Sequence, residues 1–148
     1  MSAPNATMAK FGYPATVVAE TAHWSVQVRG AQATLGALVV VCKEPALAFS
    51  AISAGAHADL GPVVGRVERC LRKAFDYDKI NWWMLMMVDP EVHFHVLPRY
   101  AAGRAFGGLD FTDPGWPAAP ALAHANPLGP TTLSDLVAHL QRVWSEIA

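Results

Sequence analysis

Between Glu91 and Pro98 the chain reads Glu-Val-His-Phe-His-Val-Leu-Pro, and this alternation constrains the fold more than any other stretch. A period of two belongs to a β-strand, which sends successive side chains to opposite faces of a sheet. Glu91, His93 and His95 therefore emerge on one face, and Val92, Phe94 and Val96 on the other. The apolar face needs a covering layer, and a helix of suitable period lies upstream. Leu60, Val63, Val64, Val67, Leu71 and Ala74 recur at steps of three and four, with Arg66, Glu68, Arg69 and Arg72 turned elsewhere. An amphipathic helix on a sheet places the chain in the α+β class.

The rest of the chain fits around that pair. Two strand-like runs, His23–Arg29 and Leu35–Lys43, are joined across 30–34. The stretch from Pro45 to Phe75 is helical in period, and Gly55 divides a short turn over 47–52 from the long helix. Lys79–Val88 is apolar on both alternating faces, which predicts a strand covered on both sides, and Asp89-Pro90 predicts a tight turn into the next strand. After Tyr100 glycine and proline become dense, in a segment too long for a simple connector; such loops carry function or meet a partner. A closing helix is expected from about Thr132, where Thr132 and Asp135 approximate a capping box and Leu133, Leu136, Val137, Leu140, Trp144 and Ile147 form an apolar stripe. The expectation is one domain over 1–148, with a core at 13–100, a tail at 101–131 and a C-terminal helix at 132–148.

Composition narrows the partners. At 148 residues the chain can bury a core without disulfides or metal. Its 11 Lys+Arg against 12 Asp+Glu leave no basic excess for duplex nucleic acid, so a small ligand is the expected partner. Cys42 and Cys70 form no CxxC pair and are expected as reduced core thiols, which suggests a cytoplasmic setting. The first residues contain no continuous apolar run, so neither a signal peptide nor a membrane span is expected there.

The chemistry concentrates at His93 and His95, whose ring positions lie about 6.6–6.8 Å apart along a strand, close enough to share one phosphate or one metal. Three readings compete at this point: a hydrogen-bonded structural pair, a metal site, and covalent catalysis on phosphorus with one imidazole attacking. The metal reading is strained, because Glu91 and His95 are about 13 Å apart along an ordinary strand and no other ligand cluster advertises itself.

Leu35-Gly36-Ala37-Leu38-Val39-Val40, the long helix, Ile80-Asn81 and Glu91-Val92-His93-Phe94-His95-Val96-Leu97-Pro98-Arg99 resemble the histidine triad (HIT) family in order and spacing, over roughly residues 13–100. The resemblance implies an antiparallel sheet of about five strands, a homodimer, no cofactor, and hydrolysis or transfer at the α-phosphate of a nucleotide, a purine mononucleotide derivative of phosphoramidate or dinucleoside polyphosphate type. It makes His93 the nucleophile that forms a nucleotidyl-imidazole, and His95 a contact for the phosphate oxygens. The backbone carbonyl of residue 91 would hold the His93 proton. Asn81 corresponds to a position near the nucleotide, and Arg99 and Trp116 are further candidates for contact with it. The sequence departs from the family pattern in four places. Glu91 replaces the first triad histidine and is a candidate for proton transfer to a leaving group. Ala37 follows Gly36 where a histidine is usual. Arg29 stands where an Asp or Asn commonly binds ribose hydroxyls. The Gly-rich phosphate loop is replaced by Val88-Asp89-Pro90-Glu91. These departures support a second expectation, a nucleotide-binding module with weak or no catalysis.

Overall fold

The structure, a computed structural model, describes residues 3–147. Its elements run α1 (Ala6–Lys10), β1 (Val17–Glu20), β2 (Trp24–Val28), β3 (Leu38–Cys42), a 3-10 turn (Phe49–Ala51), α2 (Ala54–Phe75), β4 (Lys79–Trp83), β5 (His93–Arg99), β6 (Arg104–Phe106), β7 (Leu109–Phe111) and α3 (Pro130–Glu146). Five strands form an antiparallel sheet in the order β1-β2-β3-β5-β4, and β6 and β7 form a separate hairpin. This is the α+β architecture expected, with one long helix and a C-terminal helix. Among the described residues no helix is long and apolar enough to cross a membrane.

The sheet has an inner and an outer face. On the inner face Trp24, Val26, Val28, Leu38, Val40 and Val96 meet Val63, Val67 and Leu71 of α2 and Leu136 and Leu140 of α3 in the main core. Ser53 caps α2 by accepting from the Ala56 amide, and Asp76 ends it in a left-handed conformation, φ 47°. Gly36 is required where it stands: its φ is +86°, and a Cβ there would meet the Phe75 ring at 2.9 Å.

The outer face carries the histidines. Register sets Gln27, Val39, His95 and Trp83 in one row across β2, β3, β5 and β4. Two flaps cover this face. The N-terminal segment lays Met8, Phe11 and Tyr13 over Val39 and Val41, whereas the tail lays Leu122, with Trp83, over Ala33, Ala37 and Leu97. The first flap is held by Gln27, whose Nε2 donates to the carbonyls of Met8 at 3.0 Å and Phe11 at 3.1 Å. The second is held by Asn126, which donates through Nδ2 to Gln32 O at 2.9 Å and Thr112 O at 3.0 Å.

Several expectations are corrected. The run from Lys79 is a strand only to Trp83; residues 84–92 form an irregular loop in place of a tight Asp-Pro turn, with Met86 at φ 52°. The cause lies on the other side of β5. The Val92 amide donates to Ala46 O and its carbonyl accepts from the Cys42 amide, so the chain approaching β5 pairs away from β4. As an edge strand, β4 is half-buried and not covered on both faces. Helix α3 starts at Pro130 behind Gly129, with no side-chain cap, so the Thr132/Asp135 box does not form. Four elements lay outside the sequence reading: α1, β1, and β6 and β7 of the hairpin.

Candidate active site

Between the two flaps the outer face opens into a cavity of about 250 Å³ whose lining includes Phe11, Arg29, Met86, His93, His95 and Leu122. Strand β5 brings both imidazoles to it because His93 and His95 are two residues apart on an extended chain. Their ring centroids are 5.2 Å apart, nearly perpendicular.

The two rings differ in their hydrogen bonding. His93 Nδ1 lies 2.6 Å from the carbonyl of Glu91. A carbonyl only accepts, so Nδ1 carries a proton, and in the neutral ring Nε2 is the nitrogen that holds the lone pair. His93 is 1% exposed. His95 Nδ1 is buried without a hydrogen-bond partner among the described residues. Burial, then the neighbouring His93 and the Arg29 cation, pushes the His95 pKa down to about 4, so this ring is neutral near pH 7. Phe11 lies across the pair, its centroid 6.1 Å from His93 and 6.0 Å from His95. At the rim the Lys10 ammonium pairs with Asp89 at 2.9 Å, and Met87 and Val88 are 84% and 81% exposed.

The other sequence candidates fall in three places. Arg29, two residues past Gln27 on β2, joins the histidines in the cavity wall. The Glu91 carboxylate turns away from it: Oε1 accepts from the Ala6 amide at 3.1 Å and Oε2 from the Thr7 hydroxyl at 2.9 Å, fastening α1. Asn81, Arg99 and Trp116 gather at another pocket, of about 420 Å³, further along the same sheet face. There Arg99 is fully engaged. Its Nε and Nη2 donate to Asp113 at 2.7 and 3.0 Å and its Nη1 to Asn81 at 2.8 Å, and the pair is almost wholly buried. No group of three or more His, Cys, Asp or Glu side chains is placed to hold a metal ion among the described residues.

Lys10 and Phe11 were missed by sequence reasoning, although both line the cavity. One signal was available: Asn5 stands ahead of Thr7 and Met8 as an N-cap, its side chain accepting from the Met8 amide at 2.9 Å.

No family model matches the sequence, and no curated protein is significantly similar to it. Solved structures do match in fold. A histidine triad protein from Bradyrhizobium japonicum superposes with a TM-score of 0.71 at 20% identity, covering 95% of this chain and 96% of its own. A histidine triad (HIT) protein from Sinorhizobium meliloti gives 0.73 at 17% identity, with 95% of each chain covered. A zinc-bound histidine triad family protein from Mycobacterium smegmatis gives 0.67 at 15%, covering 95% and 91%. The fold is that of the histidine triad proteins, over nearly the whole length.

Proposed function

We propose that this chain is a HIT-like nucleotide hydrolase or nucleotidyl transferase that cleaves at the α-phosphate of a phosphoramidate or dinucleoside polyphosphate through a nucleotidyl-His93 intermediate. The observation that carries this reading is the 2.6 Å contact between His93 Nδ1 and the Glu91 carbonyl, which leaves Nε2 as the free nucleophile. In the first displacement Nε2 forms a bond to phosphorus, and the bond to the leaving group breaks with its electron pair, an amine leaving group taking up a proton from solvent. In the second, water attacks phosphorus and gives up a proton to solvent, the P–N bond breaks with its electron pair returning to Nε2, and the nucleoside monophosphate departs. His95 donates a ring N–H to the phosphoryl oxygens, and with Lys10 balanced by Asp89 the guanidinium of Arg29 leaves the wall cationic.

Glu91 enters this reading through its carbonyl, while its carboxylate organises α1. Asn81, Arg99 and Trp116 enter it as a buttress that fixes β4 and the tail. A homodimer is part of the reading. β4 is an edge strand, and the loop that follows it exposes Met87 and Val88. Two buried free thiols, Cys42 and Cys70, fit a cytoplasmic setting.

Incubation with adenosine 5′-phosphoramidate or a dinucleoside polyphosphate, followed by quenching and mass spectrometry, tests the reaction. An adenylyl group on His93, absent from His93→Ala, is the expected result. The burial of His93 beneath Phe11 favours a second reading, a nucleotide-binding module, and tight nucleotide binding with neither adduct nor turnover would decide for it.

A further inference from the structure

Resting on that reading, we infer that the substrate carries a second anionic group, remote from the phosphorus that meets His93, and that Arg29 receives it. Arg29 stands at the wall between two cavities. The one over the histidines is about 250 Å³; the other, about 410 Å³, extends past Gly12, Thr16, Gly30 and Leu133. Both are lined by Lys10, Phe11 and Arg29, so a ligand reaching from the histidines around Phe11 passes the guanidinium.

The charge balance around the two cavities isolates this cation. Lys10 is matched by Asp89, and Arg99, deeper on the same face, is closed by Asp113 and Asn81. Arg29 makes no ion pair among the described residues. Its Nη1 donates to the carbonyl of Ala31 at 2.7 Å, and its Nε is buried with no partner. The second cavity has no carboxylate in its wall. A half-buried guanidinium with idle donors and no counterion is unfavourable unless an anion completes it. Its planar fork suits a phosphate or carboxylate bound through two donors. Such a group lies either on the sugar, as a ribose phosphate, or further along the phosphate chain.

Calorimetric titration of the full chain with AMP, ADP, adenosine 2′,5′-bisphosphate and adenosine 3′,5′-bisphosphate distinguishes these sources, and the readout is the affinity of each relative to AMP. At least one doubly anionic nucleotide is expected to bind roughly tenfold more tightly than AMP, given the strength of a charge-assisted paired contact. A gain confined to a bisphosphate places the second group on the sugar, and one confined to ADP places it on the phosphate chain. In Arg29→Gln the gain should collapse to near unity, and Arg29→Lys should restore part of it. The inference is overturned if no doubly anionic nucleotide outbinds AMP. It is equally overturned if the ratio survives in Arg29→Gln, which includes the case where the variant weakens AMP and the others alike because Arg29 holds the reacting phosphate. Binding of AMP without any gain leaves the proposed function standing and removes only this inference. Binding of no nucleotide at all removes both.

Discussion

The side-chain amide of Gln27 donates to the carbonyl of Phe11 at 3.1 Å, so a residue of β2 fixes the aromatic ring that lies across both histidines. Gln27 shares a row with His95, and its Oε1 accepts from Ser25 Oγ at 3.0 Å, which sets the amide's orientation. The cover over the candidate nucleophile is thus built into the sheet itself. Phe11→Ala should uncover His93 and speed its modification by diethyl pyrocarbonate, mapped by mass spectrometry. The cost in stability is expected to be about 1–2 kcal/mol, because the ring is only partly buried. An unchanged rate of His93 modification would show that the ring does not limit access.

Glu91 offers a sharper separation of backbone from side chain. Its carbonyl meets His93, while its carboxylate accepts from Ala6 and Thr7. Glu91→Ala keeps the carbonyl and orphans two donors of α1, so it should lower stability by about 1–3 kcal/mol and make the N-terminal segment sensitive to limited proteolysis. Turnover of adenosine 5′-phosphoramidate at saturating substrate should stay within a few-fold of the parent. A collapse of kcat with the segment still protected would instead make the carboxylate a proton donor.

These two residues also show how far the sequence was legible. The period-two run at 91–97 predicted that His93 and His95 share a face, and the sheet places them so, because strand geometry is local. The three- and four-residue steps of α2 predicted its inner face for the same reason. The partner of Glu91 was not local. Its strand position points it to the outer face with the histidines, and there a donor 84 residues earlier in sequence, the Thr7 hydroxyl of the N-terminal flap, holds its carboxylate away from the cavity. The early end of β4 follows likewise from pairing between Val92, Ala46 and Cys42, which no period in Lys79–Val88 encodes. The β6–β7 hairpin did have a local signal, Gly107-Gly108 between Phe106 and Leu109, hidden within a segment dense in glycine.

His95 should make stability depend on pH. Its pKa is about 4 in the folded chain, chiefly through burial, against an ordinary 6.5 when unfolded. Above pH 6.5 the ring is neutral in both states and contributes nothing to the pH dependence. Between 6.5 and 4 the unfolded chain takes up a proton that the folded chain refuses, so stability falls as pH falls. The loss attributable to this ring levels off below pH 4 at about 3 kcal/mol, from the difference between the two pKa values. Urea unfolding at pH 7.5 and pH 5 should show the decline, and His95→Asn should flatten it. Equal slopes in the two proteins would mean that other groups carry the acid sensitivity.

The Arg99–Asp113 pair joins β5 to the tail with side chains 4% and 0% exposed, and Asp113 also accepts from the Tyr100 amide at 3.2 Å. Removing one member of so buried a pair leaves the other charge without compensation, which costs far more than a surface ion pair is worth. Asp113→Ala should therefore destabilise the chain by about 3–5 kcal/mol in urea unfolding. The damage should spread unevenly. Asn126 still ties the tail to Gln32, but Trp116, beside Arg99 in the pocket lined by Asn81, loses its footing. Amide hydrogen exchange is expected to rise first over residues 112–119 and to leave β2 and β3 protected. Replacing both partners, Arg99→Met with Asp113→Leu, removes the uncompensated charge and should recover much of the loss. A double variant as unstable as Asp113→Ala would show that the tail depends on the hydrogen bonds of Asp113 and not on charge pairing.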